Sequence, residues 1–138
     1  MFDFVVRYLV WLKHLPLAAQ VFDVMLKMRQ MLAQPEMLDW IDELEAEFLS
    51  WDGASTSLHR YGGLQFNTAG KELGHLHSNG LLDMCFSKKM KSELLVSGRV
   101  KDHHIFKKTG WISFYIRGVE DKAYALELLR MAYLRRML

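Results

Sequence analysis

The chain has 138 residues, of which 51% are hydrophobic and 25% charged, and its formal net charge at pH 7 is +2. This length can bury one hydrophobic core, and the composition is that of a folded globular domain, which excludes general disorder. A net charge this close to zero gives no indication of a nucleic-acid partner, and none is expected.

The N-terminal part of the chain is the most apolar. Residues 2–12 read FDFVVRYLVWL, but the run is much shorter than the roughly 20 residues of a membrane-spanning helix, so no membrane span is expected. Over residues 17–33 apolar side chains recur three and four positions apart, which predicts a helix; they are Val21, Met25, Met28 and Leu32. We therefore predict an N-terminal helical hairpin over residues 1–34.

This hairpin carries more apolar surface than two helices can bury against each other. Either the remainder of the chain or a second copy of the protein must cover it. We interpret residues 1–34 as part of the same globule or as a dimer interface, and we predict a homodimer formed through the N-terminal helices. Residues 35–138 are interpreted as a single α+β domain.

The residue pattern changes after a third predicted helix, which follows Pro35 and ends near Trp51. Short β-type segments then alternate with turn residues, and adjacent Gly62 and Gly63 are interpreted as a bulge within the first of them. The predicted strands span residues 58–66, 72–77, 81–86, 99–105 and 111–117, with helices over residues 87–95 and 119–137. The sequence therefore predicts an α+β fold in which helices pack on an antiparallel β-sheet of about five strands.

Four histidines form the clearest chemical pattern. His75 and His77 lie two positions apart in a predicted strand, so both side chains should leave the same face of the sheet. His103 and His104 follow on a later predicted strand, and because neighbouring strands lie about 5 Å apart, one of them can join the first pair. Imidazole is a ligand of zinc, iron and manganese, so we predict a divalent-metal site formed by His75, His77 and His104.

The same face also suits a small-molecule ligand held without metal. The predicted ligand-binding residues are Arg60, Glu72, His75, His77, Asp83, His103 and Trp111. The sequence has no G-x-x-x-x-G-K-[ST] loop, no G-x-G-x-x-G and no G-x-S-x-G, which excludes the commonest nucleotide-binding and hydrolase motifs. We interpret the protein as a ligand-binding or protein-interaction module, and the alternative is a metal-dependent oxygenase or hydrolase that uses His75, His77 and His103 or His104. A third alternative is that these histidines only bond to backbone or water.

Two other patterns carry less information. Cations between residues 88 and 108 lack interleaved aromatic residues and indicate at most an anion-binding face; they are Lys88, Lys89, Lys91, Arg99, Lys101, Lys107 and Lys108. Cys85, the only cysteine, lies between Met84 and Phe86, an apolar setting typical of an inert thiol. A single cysteine cannot form an internal disulfide, as is usual in the reducing cytoplasm, so we predict a cytoplasmic location.

A series of short motifs resembles the luciferase-domain family of small proteins, catalogued as luciferase family proteins. The motifs are RYGG at residues 60–63, KELGHLH at 71–77, GLLD at 80–83, HH at 103–104 and GW at 110–111. The resemblance extends over about residues 36–137, although members often carry proline where this chain has Cys85. It implies a small domain of largely unknown function and no established catalytic residue.

Overall fold

The computed structural model describes residues 18–138, so the predicted helix over residues 2–12 lies outside the described residues. Within the described part, four helices and six strands confirm the α+β class. The helices are α1 (Ala18–Ala33), α2 (Glu36–Leu49), α3 (Lys88–Val96) and α4 (Val119–Met137). The strands are β1 (Ala54–Leu58), β2 (Leu64–Thr68), β3 (Lys71–Leu76), β4 (Leu81–Cys85), β5 (Lys101–Asp102) and β6 (Trp111–Tyr115).

The six strands form one sheet in the order β1-β2-β3-β4-β6-β5, and every neighbouring pair is antiparallel. The first four strands are a simple meander. The chain then passes through α3 and returns as β5 at the far edge, before β6 inserts between β4 and β5. As a result β3 and β4 lie in the middle of the sheet, where side chains are shielded on both sides.

One face of the sheet forms the hydrophobic core with α2 and α4. Leu64, Leu76, Leu82 and Phe114 are aligned in one row across four strands. The helices add fully buried side chains such as Phe48 and Leu128. Each large apolar side chain buried in this way contributes about 1.5–3 kcal/mol. This face accounts for the predicted alternation in the last strand, in which Ile112, Phe114 and Ile116 are buried.

The opposite face carries a polar row across all six strands. Register pairs join Ser57 to Gln65, Gln65 to His75, His75 to Asp83, Asp83 to Ser113, and Ser113 to Lys101. Paired residues in a sheet lie about 5 Å apart and point to the same side. The candidate site lies in the middle of this row.

The prediction of one bulged strand over residues 58–66 is wrong. Gly62 and Gly63 lie in the loop that joins β1 to β2, with φ angles of 84° and 91°. Only glycine adopts these angles readily. A Cβ on Gly63 would also lie 2.6 Å from the Leu76 carbonyl oxygen, so the loop passes directly against β3. The two glycines thus make a close hairpin, and the sheet gains a sixth strand.

The prediction of a strand over residues 99–105 is also too long, because β5 contains only Lys101 and Asp102. The ring nitrogen Nδ1 of His103 accepts hydrogen bonds from the backbone N–H groups of Ile105 and Phe106, at 3.0 and 3.1 Å. These bonds turn the backbone away from the sheet, since the same N–H groups cannot also join a ladder. His103 therefore lies on a loop, residues 103–110, rather than on a strand.

The apolar stripe of α1 is largely solvent-exposed. Val21, Met25 and Met28 have exposed fractions of 59%, 53% and 63%, whereas the neighbouring Leu26 is buried. The sheet of the described domain therefore does not cover these side chains. The homodimer through the N-terminal helices stays a prediction. Within residues 18–138, no helix combines the length and apolarity needed to cross a membrane.

Candidate functional site

Five imidazoles meet on the polar face of the sheet, and we call them the histidine cluster: His59, His75, His77, His103 and His104. His59 comes from the β1–β2 loop, His75 and His77 from β3 and the residues after it, and the last two from the 103–110 loop. Four are buried and His104 is exposed. Three separate segments thus place their histidines over the middle of β4.

The rings are packed against each other. His59 stacks on His75 with ring centroids 3.7 Å apart and an interplanar angle of 10°. His75 and His77 leave the same face, as their spacing of two residues requires, and their rings are perpendicular with centroids 5.2 Å apart. His104 stacks on His103 at 4.3 Å. The rings thus form two packed groups, His59 with His75 and His77, and His103 with His104.

Asp83 lies at the centre of the cluster and is fully buried. Its Oδ1 atom accepts a hydrogen bond from the hydroxyl of Ser113. Its Oδ2 atom has no hydrogen-bond partner among the described residues and lies 3.6 Å from His75 Nε2 and 3.7 Å from His103 Nε2. Burial raises the pKa of Asp83 above its ordinary value, because the charged form loses solvation. A buried carboxylate oxygen without a protein partner is rare, and its partner can be a water molecule, an ion or a ligand.

The hydrogen bonds of His103 determine which of its nitrogens carries the proton. Nδ1 accepts two backbone N–H groups, so it must present a lone pair. The neutral ring therefore carries its proton on Nε2, the atom that faces Asp83. The Nε2–H group lies 3.7 Å from Oδ2 of Asp83, too far for a direct hydrogen bond, and in this tautomer Nε2 cannot coordinate a metal. The prediction that His103 or His104 supplies a metal ligand stays a prediction, and for His103 it would require the other tautomer.

His75 has the opposite arrangement. Its Nδ1 atom lies 2.7 Å from Oε1 of Glu72, a distance at which the ring donates to the carboxylate. Burial acts to raise the pKa of Glu72, but the hydrogen bond from His75 and the electrostatic effects of His75 and His59 together outweigh it, and the pKa is lowered overall. In the neutral His75 ring the remaining nitrogen, Nε2, presents a lone pair, and it lies 3.6 Å from Oδ2 of Asp83. A carboxylate that orients an imidazole in this way is typical of metal-binding histidines.

Three groups in the described part of the chain have ligand atoms within 4.8 Å of one another: His59, Glu72 and His75; His75, His77 and Asp83; and Asp83, His103 and His104. In the first group Glu72 is already hydrogen-bonded to His75. The third group needs His103 as a ligand, but the neutral His103 ring carries its proton on Nε2, the nitrogen that lies nearest Asp83. The second group combines the lone pair of His75 with the unpartnered oxygen of Asp83, so it is the best candidate metal centre.

Three of the buried histidines, His59, His77 and His103, resist protonation. Burial, reinforced by the neighbouring His75, lowers the pKa of His59 to about 4 and that of His77 to about 3. Burial and His104 lower the pKa of His103 to about 4. These three rings are therefore neutral at pH 7, the form in which an imidazole binds metals or accepts protons.

We expect the metal-free protein to lose stability steeply as the pH falls from 6.5 toward 4. In this window the unfolded chain binds protons on His59, His77 and His103, whereas the folded chain does not, because their folded pKa values are about 4, 3 and 4. Each histidine can lower the free energy of unfolding by up to about 1.4 kcal/mol per pH unit. Asp83 opposes the trend, since its raised pKa makes the folded state bind a proton more tightly.

Urea unfolding in EDTA at several pH values measures this slope. His77→Gln should reduce the slope by about 1.4 kcal/mol per pH unit. A free energy of unfolding that does not change between pH 6.5 and 4.5 would contradict the expectation.

A buried lysine holds the loop that carries His103. Lys91 on α3 is buried, and its ammonium group donates to the carbonyl oxygens of Lys107 and Thr109 at 2.7 and 3.0 Å. It also forms an ion pair of 2.7 Å with Asp102. Lys91 is therefore not part of an anion-binding face. Its three contacts fix both ends of the 103–110 loop over the histidine cluster.

Lys91→Met should lower the free energy of unfolding by about 2 kcal/mol, since charged hydrogen bonds contribute about 1.5–3 kcal/mol each and the thioether side chain recovers part of the packing. Lys89→Met on the same helix is the matched control, because Lys89 is exposed. Hydrogen exchange of residues 103–110 should accelerate only in Lys91→Met. Equal behaviour of the two variants would refute the role of Lys91.

The fold brings most of the predicted site residues together. Glu72 and Asp83 lie beside the histidine cluster, and the ring of Trp111 borders it, 5.6 Å from the ring of His75 and 5.8 Å from that of His103. Arg60 differs, because it is exposed and its guanidinium lies 4.5 Å from the ring centroid of Tyr61.

Sequence reasoning missed His59, Ser113 and Phe106, whose ring lies 5.0 Å from His103. Of these three residues, only Ser113 could have been found from the sequence, because it alternates with the apolar residues of β6 and so lies on the opposite face of the sheet. Nothing in the local pattern distinguished His59 from an ordinary loop histidine.

The fold and site define a class: a small α+β domain with its core on one face of an antiparallel sheet and a buried histidine–aspartate site on the other. Residues 70–132, just under half of the chain, match the family model described as Luciferase domain. This match supports a luciferase-domain family protein and confirms the resemblance of the sequence motifs. The matched span contains His75, His77 and Asp83 but not His59. No curated protein and no solved structure matches the chain.

Proposed function

We propose that this domain binds a divalent metal ion through His75, His77 and Asp83, and that the ion forms part of a ligand-binding site. The observation that carries the proposal is the buried Oδ2 atom of Asp83, which has no hydrogen-bond partner among the described residues and lies 3.6 Å from Nε2 of His75. An ionised carboxylate in such surroundings is destabilised by several kcal/mol, and a bound cation removes this penalty.

The surrounding residues support the same function. Glu72 accepts a hydrogen bond from the Nδ1–H of His75 and so orients the ring, as carboxylates commonly do behind metal-binding histidines. Ser113 holds the other oxygen of Asp83, so the carboxylate is oriented before any ion binds. Two imidazoles and one carboxylate are ligand types that zinc, iron and manganese accept.

Three protein ligands leave at least one coordination position for water or substrate, which is the arrangement of reactive rather than structural metal sites. The Nε2 atom of His103 lies 3.7 Å from Oδ2 of Asp83. It can donate a hydrogen bond to whatever occupies that position. These features favour a metal site of the hydrolase or oxygenase type over a purely structural ion.

A second candidate function is ligand binding without a metal. The raised pKa of Asp83 favours the neutral acid, which can donate a hydrogen bond from Oδ2. Trp111 and the half-exposed Phe106 border the cluster and offer aromatic surfaces to an organic ligand. In this case His75 and Asp83 would contact the ligand directly.

The test is the metal content and metal affinity of protein purified without a nickel column. Elemental analysis should find close to one zinc, iron or manganese per chain. After treatment with EDTA, calorimetric titration with each of these ions should give one saturable site. Less than one metal per several chains, with no affinity for added ions, would reject the metal site and leave the metal-free alternative.

The double variant His75→Ala, His77→Ala should abolish this site. His104→Ala is the matched control, because His104 is exposed and belongs only to the group formed with Asp83 and His103. Loss of binding in His104→Ala alone would transfer the metal centre to that group. Unchanged binding in the double variant would reject the proposed ligands.

A further inference from the structure

A second site lies at the sheet edge, where β5 and the start of α4 meet. It is a cavity of about 190 Å³. The charged residues that line it are Arg99, just before β5, Lys101 in β5, Arg117, just before α4, and Asp121 in the first turn of α4. We call this cavity the cationic pocket.

The shortness of β5 creates the pocket. The register between β5 and β6 begins at Lys101, which pairs with Ser113, so β6 continues toward Tyr115 without a neighbouring strand on that side. Before Lys101 the chain turns away through Gly98, whose φ angle is 72°. The gap left beside β6 is several times the volume of one water, about 30 Å³, so a tetrahedral oxyanion fits.

The charges in the pocket are unbalanced. Arg99 Nη2 lies 4.0 Å from Oδ1 of Asp121, at the outer limit of an ion pair. The other carboxylate oxygen, Oδ2, accepts the backbone N–H of Arg117 at 3.1 Å. Lys101 forms no ion pair within the described residues. Three cations therefore share one carboxylate, and the lining carries a net charge of +2.

Arg99 is held in place before any ligand binds. Its guanidinium lies 3.7 Å from the ring centroid of Tyr124 on α4, a cation–π contact. Tyr124 in turn packs edge-on against Phe114, with ring centroids 5.2 Å apart. Because the aromatic ring leaves the N–H edge of the guanidinium available, less conformational entropy is lost when Arg99 binds an anion.

We propose that the cationic pocket binds the phosphate group of a small molecule. Two net positive charges match a phosphate monoester, which carries a charge near −2 at pH 7, better than a single carboxylate. Arginine presents paired donors that suit phosphate oxygens. The pocket shares Ser113 with the histidine cluster, where the serine hydroxyl binds Asp83. Phosphate binding does not depend on the proposed metal.

Calorimetric titration at low ionic strength, with inorganic phosphate and with glycerol phosphate as probes, tests this site. Lys101→Gln with Arg117→Gln removes two exposed cations of the pocket, and Lys107→Gln with Lys108→Gln removes two exposed cations elsewhere. The pocket variant should bind both probes at least about tenfold more weakly, and the control should bind them as the parent does. Asp121→Asn should strengthen binding, because it removes the competing carboxylate.

Several results would overturn the proposal. These are equal weakening in the two double variants, acetate binding as tightly as phosphate, and no saturable binding of either probe by the parent protein. Binding only to vesicles that contain phosphatidic acid would assign the pocket to a membrane surface instead of a soluble phosphate compound. His75→Ala with His77→Ala should retain phosphate binding, so failure of the metal site and failure of this pocket are separate results.

Discussion

Asp83→Asn should lower metal affinity by more than about 100-fold, the upper end of what a supporting residue of a metal site contributes. The substitution replaces the unpartnered Oδ2 with an amide nitrogen, which cannot coordinate a cation. The same change should raise the free energy of unfolding of the metal-free protein by about 1–3 kcal/mol at pH 7, because a buried charge disappears. The new amide can also donate to His75 Nε2, which lies 3.6 Å from Oδ2.

The opposite signs of these two effects make the prediction specific. Calorimetric titration with zinc measures the affinity, and urea unfolding in EDTA measures the stability. Glu72→Gln should give an intermediate loss of affinity, about 10–100-fold, because Glu72 acts through His75. Asp121→Asn is the control for a lost carboxylate, because Asp121 belongs to none of the candidate metal-binding groups. An Asp83→Asn protein that binds zinc as the parent does would eliminate Asp83 as a ligand.

Gly110→Ala should lower the free energy of unfolding by more than about 3 kcal/mol, the upper end of the usual range for over-packing. A Cβ at this position would lie 1.7 Å from the carbonyl oxygen of Phe86. The clash is with backbone, and the Phe86 N–H donates to the Gly110 carbonyl at 3.0 Å, so neither strand can move without breaking the pair. The start of β6, including Trp111, would be displaced from the cluster.

Gly118→Ala is the matched glycine control. No atom lies within 4 Å of a Cβ there, and its φ of −165° is extended backbone that alanine adopts. Because Gly118 directly precedes α4, Gly118→Ala should lower the free energy of unfolding by less than about 1 kcal/mol. Urea unfolding of the two variants compares them directly. A Gly110→Ala protein as stable as Gly118→Ala would mean that β4 and β6 are farther apart than the structure places them.

Much of the architecture follows from local pattern. The alternation in residues 111–117 predicts the buried positions of β6, and Ser87 caps α3 by accepting the backbone N–H of Met90 at 3.2 Å. The spacing of His75 and His77 places both rings on one face, whatever strand lies next to them. These features depend on neighbours within a few residues along the chain.

Two predictions from the sequence were wrong for a similar physical reason. The predicted strand over residues 99–105 failed because the ring of His103 captures backbone donors that the strand would have used. Lys91 was wrongly assigned to an anion-binding face, because its ammonium group binds two carbonyl oxygens of the distant 103–110 loop and the carboxylate of Asp102. In both cases a side chain satisfies backbone groups that periodicity alone assigns elsewhere.

Residue order and periodicity were enough for the α+β class, the helices after residue 35 and the common face of His75 and His77. The site itself depends on non-local contacts: His59 stacks on a ring 16 residues away in sequence, and Asp83 receives its partners from three other segments. The alternation of apolar and polar residues predicts which face of a strand a side chain occupies, but it does not predict which strands pair with each other. Strand order and loop closure therefore decided where the buried carboxylate lies and which nitrogens face it.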